Sequence, residues 1–157
     1  MLLRVPRPYI LVVDDLADGR EMLAEYLGFR GHTVLQATDG AMALTMAQKR
    51  VPAVVLLDLA MPGLDGREVA RQLKADARTR TAIIVAVTAR VLTTDERAAF
   101  AAGCDAFVGK PCDLTSLTNA IDAIMVDGRK ALSRLRRAGP GGTPSSTSRS
   151  NRKSSGT

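Results

Sequence analysis

Short apolar runs alternate with longer amphipathic stretches along residues 9–126. Five runs are too short for ordinary helices and are rich in β-branched residues, which predicts strands at 9–13, 33–37, 53–57, 82–87 and 106–108. Polar residues interrupt the second run, so we expect it to be an edge strand that is half exposed. The other four runs are almost entirely apolar, as is typical of parallel strands buried on both faces.

The stretches between the runs carry apolar residues three and four positions apart, which predicts helices with one buried face. The first such face consists of Met22, Leu23, Tyr26 and Leu27. Gly31 follows that face as a stop signal. Residues that often cap helix N-termini precede the later stretches, namely Asp39, Asp65 or Gly66, Thr93 or Thr94, and Asp113. The pattern predicts an α/β fold, (βα)5, with a doubly wound parallel sheet and helices on both faces.

The charge of the chain divides sharply near residue 126. Residues 127–157 contain eight Lys or Arg and one acid, a net of +7, so residues 1–126 carry −1 of the chain's total of +6. Residues 139–157 have no apolar side chain to bury, which predicts disorder, whereas 129–137 could extend the last helix. We therefore divide the chain into an N-terminal arm (1–8), one domain (9–126) and a basic, largely disordered tail (127–157).

Several classes of protein are disfavoured by composition. Residues 1–8 lack a secretory apolar stretch, and no later run approaches the ~20 apolar residues that span a bilayer. Cys104 and Cys112 form no CxxC motif, so we expect free thiols. These features predict a cytoplasmic protein without a transmembrane segment.

Charged and hydroxyl residues follow four of the predicted strands: Asp14, Asp15, Asp58, Thr88 and Lys110. The carboxyl ends of parallel strands meet at one edge, where sites form near the reversal of strand order. Carboxylates ~4 Å apart repel by about 4 kcal/mol per pair at an effective dielectric of ~20, so a cation is needed. Oxygen donors without His or Cys favour Mg²⁺, with Mn²⁺ as a substitute. One carboxylate beside such a cation can accept a phosphoryl group as a nucleophile.

With these motifs, residues 9–126 resemble the receiver domain of two-component response regulators. The motifs are LVVDD, VVLLDLAMPGLDG, VAVTA and AFVGKP, each at the end of a predicted strand. The resemblance implies the flavodoxin-like fold with strand order 2-1-3-4-5. It also implies that the bond between Lys110 and Pro111 is cis.

The resemblance further implies a role for each site residue. Asp58 is the expected phosphorylation site, and the expected metal ligands are Asp14, Asp15, Asp58 and the backbone carbonyl of Ala60. Lys110 is expected to pair with the phosphoryl group and Thr88 to bond it through its hydroxyl, while Phe107 matches the switch aromatic. Ala60 and Arg90 stand at positions that tune phosphoryl lifetime. Cys112 stands where the family often has an apolar aromatic.

The implied function is a Mg²⁺-dependent phosphoryl acceptor in a phosphorelay. The expected donor is the phosphohistidine of a histidine kinase or histidine phosphotransfer protein, and the expected target docks on the face of helix 4, strand 5 and helix 5. We do not expect an enzyme, beyond catalysis of its own phosphorylation and slow dephosphorylation. A stand-alone regulator and a segment of a larger hybrid protein both remain open.

Two other functions compete with this interpretation. A haloacid-dehalogenase-type phosphatase also uses an aspartyl nucleophile with magnesium, but it needs a second acid two residues later, where this chain has Ala60. The basic tail could instead bind nucleic acid or an anionic surface through its charge. No helix-turn-helix fits within residues 127–157, so we expect at most weak electrostatic contact there.

Overall fold

The computed structural model describes residues 6–89 and 93–137. Strands and helices alternate in the predicted order: β1 Tyr9–Val13, α1 Ala17–Phe29, β2 Thr33–Ala37, α2 Gly40–Lys49, β3 Val54–Leu57, α3 Gly66–Ala75, β4 Ile83–Thr88, α4 Thr93–Ala101, β5 Ala106–Gly109 and α5 Leu114–Asp127. A 3₁₀ helix follows at Gly128–Arg137. The predicted strands agree with the observed ones to within one residue at each end. None of the helices in the described ranges is long and apolar enough to cross a membrane.

The five strands form one parallel sheet in the order β2-β1-β3-β4-β5, which confirms the predicted fold. β2 lies at one edge, where Thr33, Leu35 and Gln36 are exposed. β1, β3 and β4 are buried along their whole length. Because β1 and β3 are neighbours while α1 and α2 leave on opposite faces, the strand order reverses beside β1, where a site is expected.

Alternate residues of each strand point into two separate apolar layers. Leu11 packs with α2, α3 and α4 on one face, whereas Ile10 and Val12 pack with α1 and α5 on the other. Each fully buried aliphatic side chain contributes roughly 1.5–3 kcal/mol, so the two layers stabilise the sheet whose carboxyl edge carries the predicted site residues.

Side-chain caps begin three helices at predicted positions. Asp39 accepts a hydrogen bond from the backbone N–H of Met42 at 2.8 Å, and Asp65 accepts one from Arg67 at 3.0 Å. Asp113 caps α5 in the same way. α4 begins at Thr93, as predicted, while Arg90 lies outside the described residues.

The structure differs from the predicted boundary between domain and tail. Gly128 has a φ of +65°, which ends α5, but the following 3₁₀ helix packs against the body. Ala131 and Leu135 are buried in the layer formed by α1 and α5. These two apolar residues lie four positions apart among basic residues, so 128–137 belongs to the folded unit. The predicted disorder at 139–157 and most of the N-terminal arm lie outside the described residues.

Candidate functional site

The predicted site residues meet at the carboxyl edge of the sheet. Asp14 and Asp15 follow β1, and Asp58 follows the central strand β3. One carboxylate oxygen from each of these acids lies within 4.8 Å of the others. Thr88 ends β4 and Lys110 follows β5, so four strand ends contribute to one cluster, as expected from the parallel topology.

Asp14 is held by contacts on both carboxylate oxygens. Its Oδ1 accepts a hydrogen bond from the backbone N–H of Leu16 at 3.0 Å, and its Oδ2 accepts one from Lys110 Nζ at 2.8 Å. The residue is 5% exposed. Asp14 therefore has a fixed direction before any ligand arrives.

Lys110 is shared between two acids. Its Nζ lies 2.8 Å from Asp14 Oδ2 and 3.6 Å from Asp58 Oδ2. Burial acts to lower the pKa of Lys110, but the hydrogen bond from Lys110 to Asp14 and the charges of both acids raise that pKa above its usual value. Lys110 therefore keeps its positive charge next to the acids. The peptide bond that follows it, to Pro111, is cis, which confirms the expectation.

Asp58 is 6% exposed, and its backbone N–H donates to the carbonyl of Val13 at 3.0 Å, which joins it to the β1 edge. Its Oδ1 accepts a hydrogen bond from the backbone N–H of Ala60 at 2.9 Å. Burial is the main reason that the pKa of Asp58 is raised, and the charge of Asp14 adds to this effect, against the lowering action of Ala60 and Lys110. Among the described residues, the charge of Lys110 therefore does not offset the effect of burial on Asp58.

Asp15 is the most accessible of the three acids, and its carboxylate forms no hydrogen bond or ion pair within the part of the chain that the structure describes. Three oxygen ligands with one lysine are suited to a hard divalent cation. The residues present thus fit a metal site. The carbonyl of Ala60 stays a predicted ligand.

Thr88 and Phe107 stand on adjacent strands beside the cluster. Thr88 is completely buried, and its carbonyl accepts a hydrogen bond from the backbone N–H of Lys110 at 2.8 Å. Phe107 is half-buried, pairs with Ala86, and packs against the layer of α2, α3 and α4. The two residues therefore occupy positions from which the predicted switch could operate, and that role stays a prediction.

A cavity of about 830 Å³ opens beside the acids, between α1 and the loop that precedes α5. Asp14, Asp58 and Lys110 form its polar end. Its other walls are largely apolar and include Leu16, Met22, Leu23, Cys112, Leu114 and Leu117.

Both cysteines are free, as expected from the sequence. Burial raises the pKa of the Cys104 thiol to about 12, which makes this thiol unreactive.

Two residues that the pattern analysis did not assign to the site support it. A Cβ on Gly66 would lie 2.5 Å from the carbonyl oxygen of Asp58 and 2.7 Å from Leu59 Cα, so a side chain there would displace Asp58. Arg20 is buried in α1, and its guanidinium group donates a hydrogen bond to the backbone carbonyl of Asp14. The glycine was visible at the end of the MPGLDG motif, whereas nothing in the apolar pattern indicated Arg20.

Comparison with known proteins gives a consistent set of relatives. The profile of the family described as "Response regulator receiver domain" matches residues 10–122. Protein PilH of Pseudomonas aeruginosa is 35% identical over 116 residues, which cover 74% of this chain and 96% of PilH. Response regulator MprA of Mycobacterium leprae is 39% identical over 116 residues, 74% of this chain but 50% of MprA. The chain thus spans nearly all of PilH and half of MprA.

Solved structures show the same fold. The chemotaxis protein CheY4 of Vibrio cholerae superposes with a TM-score of 0.71 at 25% identity, covering 76% of this chain and 99% of CheY4. A response regulator protein from Burkholderia pseudomallei superposes with a TM-score of 0.68 at 25% identity, covering 81% of this chain and 75% of that one. The latter structure is described as containing a phosphorylated aspartic acid, a calcium ion and citrate.

Proposed function

Because this chain belongs to the response regulator receiver domain family, we propose that it accepts a phosphoryl group on Asp58 from a phosphohistidine in a Mg²⁺-dependent reaction. The observation that carries the proposal is the cluster of Asp14, Asp15 and Asp58, whose oxygens lie within 4.8 Å, beside Lys110. The Burkholderia relative, with its phosphorylated aspartic acid and calcium ion, supports the same chemistry.

The residues divide the reaction between them. A carboxylate oxygen of Asp58 attacks phosphorus, the P–N bond to the donor imidazole breaks, and that electron pair stays on the imidazole nitrogen. Lys110, released from Asp14, pairs with a phosphoryl oxygen, and the Thr88 hydroxyl donates to another. A bound Mg²⁺, held by the three acids and the Ala60 carbonyl, would neutralise charge on the transferring group.

The cavity beside the acids supports a docking site for the phosphodonor. Leu16 is 64% exposed and Met22 is 53% exposed, and both line this one cavity, whose apolar walls around a polar end suit an amphipathic helix. We propose that the helix carrying the phosphohistidine of a histidine kinase or histidine phosphotransfer protein lies across the opening of this cavity. The histidine then faces Asp58 at the polar end.

We propose that phosphorylation changes which proteins this chain contacts in the cytoplasm. This output involves no turnover of a substrate. As Thr88 moves toward the phosphoryl group, Phe107 can turn further inward, which biases a two-state equilibrium of the face formed by α4, β5 and α5. The position of Phe107, half-buried on β5, supports this proposal. A phosphatase is less well supported, since Ala60 offers no acid for a leaving group.

The test is phosphorylation by acetyl phosphate and Mg²⁺, followed by intact mass. Wild-type protein gains one phosphoryl group, and Asp58→Asn loses at least a hundredfold in rate because the nucleophile is absent. Asp76→Asn, which changes a partly exposed acid just after α3, serves as the matched control and reacts at the wild-type rate. Comparable labelling of Asp58→Asn would contradict the assignment, as would unchanged labelling in EDTA.

A further inference from the structure

Arg20 is a buried cation on a helix face that otherwise packs into the core. Arg20, Ala24 and Leu27 are the buried residues of α1, and their spacing of four and three defines one face. A guanidinium group is strongly destabilising when buried without hydrogen-bond partners. The partners of Arg20 therefore account for its position.

The guanidinium group joins α1 to the ends of two strands. Nη1 donates a hydrogen bond to the backbone carbonyl of Asp14 at 2.9 Å, and Nε donates one to Gln36 Oε1 at 3.1 Å. Nη2 lies 4.0 Å from the carboxylate of Glu21, which is a weak ion pair at most. The rigid planar fork of arginine suits such a pair of fixed acceptors.

The carbonyl that Arg20 holds belongs to the peptide plane between Asp14 and Asp15. Rotation of this plane changes ψ of Asp14 and φ of Asp15, and so re-aims the Asp15 side chain. The Asp14 carboxylate has its own restraints from Leu16 and Lys110. The Asp15 carboxylate has no partner among residues 6–89 and 93–137, so none of these residues restrains it through its side chain, and its direction depends on the backbone and on its own rotamer.

We propose that Arg20 is a positioning residue for the metal ligands, which holds the Asp14–Asp15 peptide plane so that Asp15 converges with Asp14 and Asp58. This rests on the proposed function, in which the acid cluster binds Mg²⁺. The sign of the effect separates positioning from charge. Arg20 and the metal are both cations, so removal of the charge alone would tighten metal binding. Loss of the contact that positions Asp15 would instead weaken metal binding.

The test compares Arg20→Met and Arg20→Lys with the wild-type protein. Mg²⁺ affinity is measured by isothermal titration calorimetry, and the stability of the metal-free protein is measured by urea unfolding in EDTA. Groups that orient metal ligands typically contribute 10–100-fold to affinity, so Arg20→Met is expected to bind Mg²⁺ at least tenfold more weakly. Arg20→Lys keeps the charge but not the planar fork, and a loss of about threefold or more is expected.

Gln36→Met is the matched control, since it removes the other acceptor of Arg20 and leaves the Asp14 contact in place. Its Mg²⁺ affinity is expected to stay within about twofold of wild type. A loss in Gln36→Met as large as that in Arg20→Met would overturn the proposal, because the link from α1 to β2 would then be what matters.

The outcomes also separate this proposal from the proposed function. A wild-type protein that does not bind Mg²⁺ would contradict the function itself. If the wild-type protein binds Mg²⁺ and Arg20→Met binds Mg²⁺ equally or more tightly, only the positioning role of Arg20 would be overturned. If Arg20→Met does not fold in EDTA, Arg20→Lys decides, and wild-type affinity in that variant overturns the role.

Discussion

Two clusters at opposite edges of the sheet each combine a largely buried aspartate with a lysine, and they differ in charge balance. At the carboxyl edge, Lys110 lies beside a cluster of three acids and contacts two of them, Asp14 and Asp58. At the amino edge, Asp105 has two cations of its own: its Oδ2 accepts from Lys74 Nζ at 2.9 Å, and its Oδ1 accepts from Arg129 Nη1 at 2.5 Å. The same residue types therefore form an acid-rich cluster at one edge and a neutralised cluster at the other.

The pKa values of the two aspartates move in opposite directions. Burial is the largest influence on both and acts to raise both pKa values. At Asp58 burial prevails and the pKa is raised. At Asp105 the backbone N–H of Ile84 and the two cations prevail, and the pKa is lowered. The hydrogen-bond donors and the neighbouring charges, rather than burial, decide the difference.

The comparison separates structural charge from functional charge. The Asp105 cluster joins α3, β4, β5 and the C-terminal 3₁₀ helix, and all its charges are paired. Within residues 6–89 and 93–137, the Asp58 cluster leaves the Asp15 carboxylate without a partner, and two acids share Lys110. We therefore expect changes at the amino edge to lower stability and changes at the carboxyl edge to lower cation binding.

The largest effect on stability is expected from truncation after Asp127. This removes the burial of Ala131 and Leu135 and one cation of the Asp105 cluster. Loss of a buried Leu typically destabilises by 2–5 kcal/mol, so we expect the free energy of unfolding to fall by about 3–5 kcal/mol. Urea unfolding measures this. Arg129→Met in the full chain isolates the ion pair, and a truncated protein as stable as wild type would show that 128–137 does not contribute.

Asp105→Asn tests the neutralised cluster directly. It leaves Lys74 partly buried beside a neutral group, and we expect a loss of about 2 kcal/mol in unfolding free energy. The rate of Asp58 phosphorylation in the folded variant is expected to stay within about twofold of wild type. The control for stability is Asp76→Asn, which changes a partly exposed acid paired with the exposed Arg78. A large loss of phosphorylation without loss of stability would contradict the division between the two edges.

Asp15→Asn is expected to have the opposite pattern. Because it relieves repulsion among three acids, the metal-free protein is expected to be unchanged or more stable by about 0.5–1 kcal/mol. Mg²⁺ affinity is expected to fall at least tenfold, since a ligand charge is lost. Calorimetric titration and urea unfolding in EDTA give the two values. A destabilised variant that keeps wild-type metal affinity would refute the site geometry.

The two clusters are also expected to respond oppositely to pH in EDTA. The raised pKa of Asp58 means that the folded state holds its proton more tightly, so wild type loses stability relative to Asp58→Asn as pH rises from about 4 through the folded-state pKa. The lowered pKa of Asp105 means that the advantage of wild type over Asp105→Asn is lost only as pH falls below about 4. Urea unfolding at several pH values measures both differences, and parallel slopes would contradict the comparison.

The carboxyl edge was more predictable from sequence than the amino edge. Strand ends are visible as apolar runs, so Asp14, Asp58 and Lys110 could be placed together without coordinates. The amino-edge cluster joins side chains from a helix, a loop and the C-terminal extension, and no local pattern links them. The roles assigned to Thr88 and Phe107 stay predictions.

The errors have a common physical cause. Apolar periodicity treats a charged residue as exposed, so Arg20 was not recognised as buried. It also treats an apolar residue at helical spacing as buried, so Met22, which is exposed, was placed on the buried face. The spacing of Ala131 and Leu135 did allow an extension of the fold past Val126, but the surrounding basic residues favoured a tail at 127–157. A charged side chain that satisfies its hydrogen bonds inside the fold leaves no trace in hydropathy.

The smallest effect is expected from deletion of residues 138–157. That segment has no apolar residue beyond Ala138 with which to pack, so unfolding free energy is expected to change by less than about 0.5 kcal/mol. Phosphorylation of Asp58 is expected to be unchanged.

The deletion removes three of the eight basic residues of 127–157 and leaves Lys130 and Arg134 exposed on the 3₁₀ helix. If the full chain binds duplex DNA, the affinity is therefore expected to fall only in part and to weaken steeply with added salt. Filter binding at several salt concentrations checks this. A salt-insensitive complex, or a protein that unfolds when 138–157 is removed, would show that the segment packs or recognises its partner by more than charge.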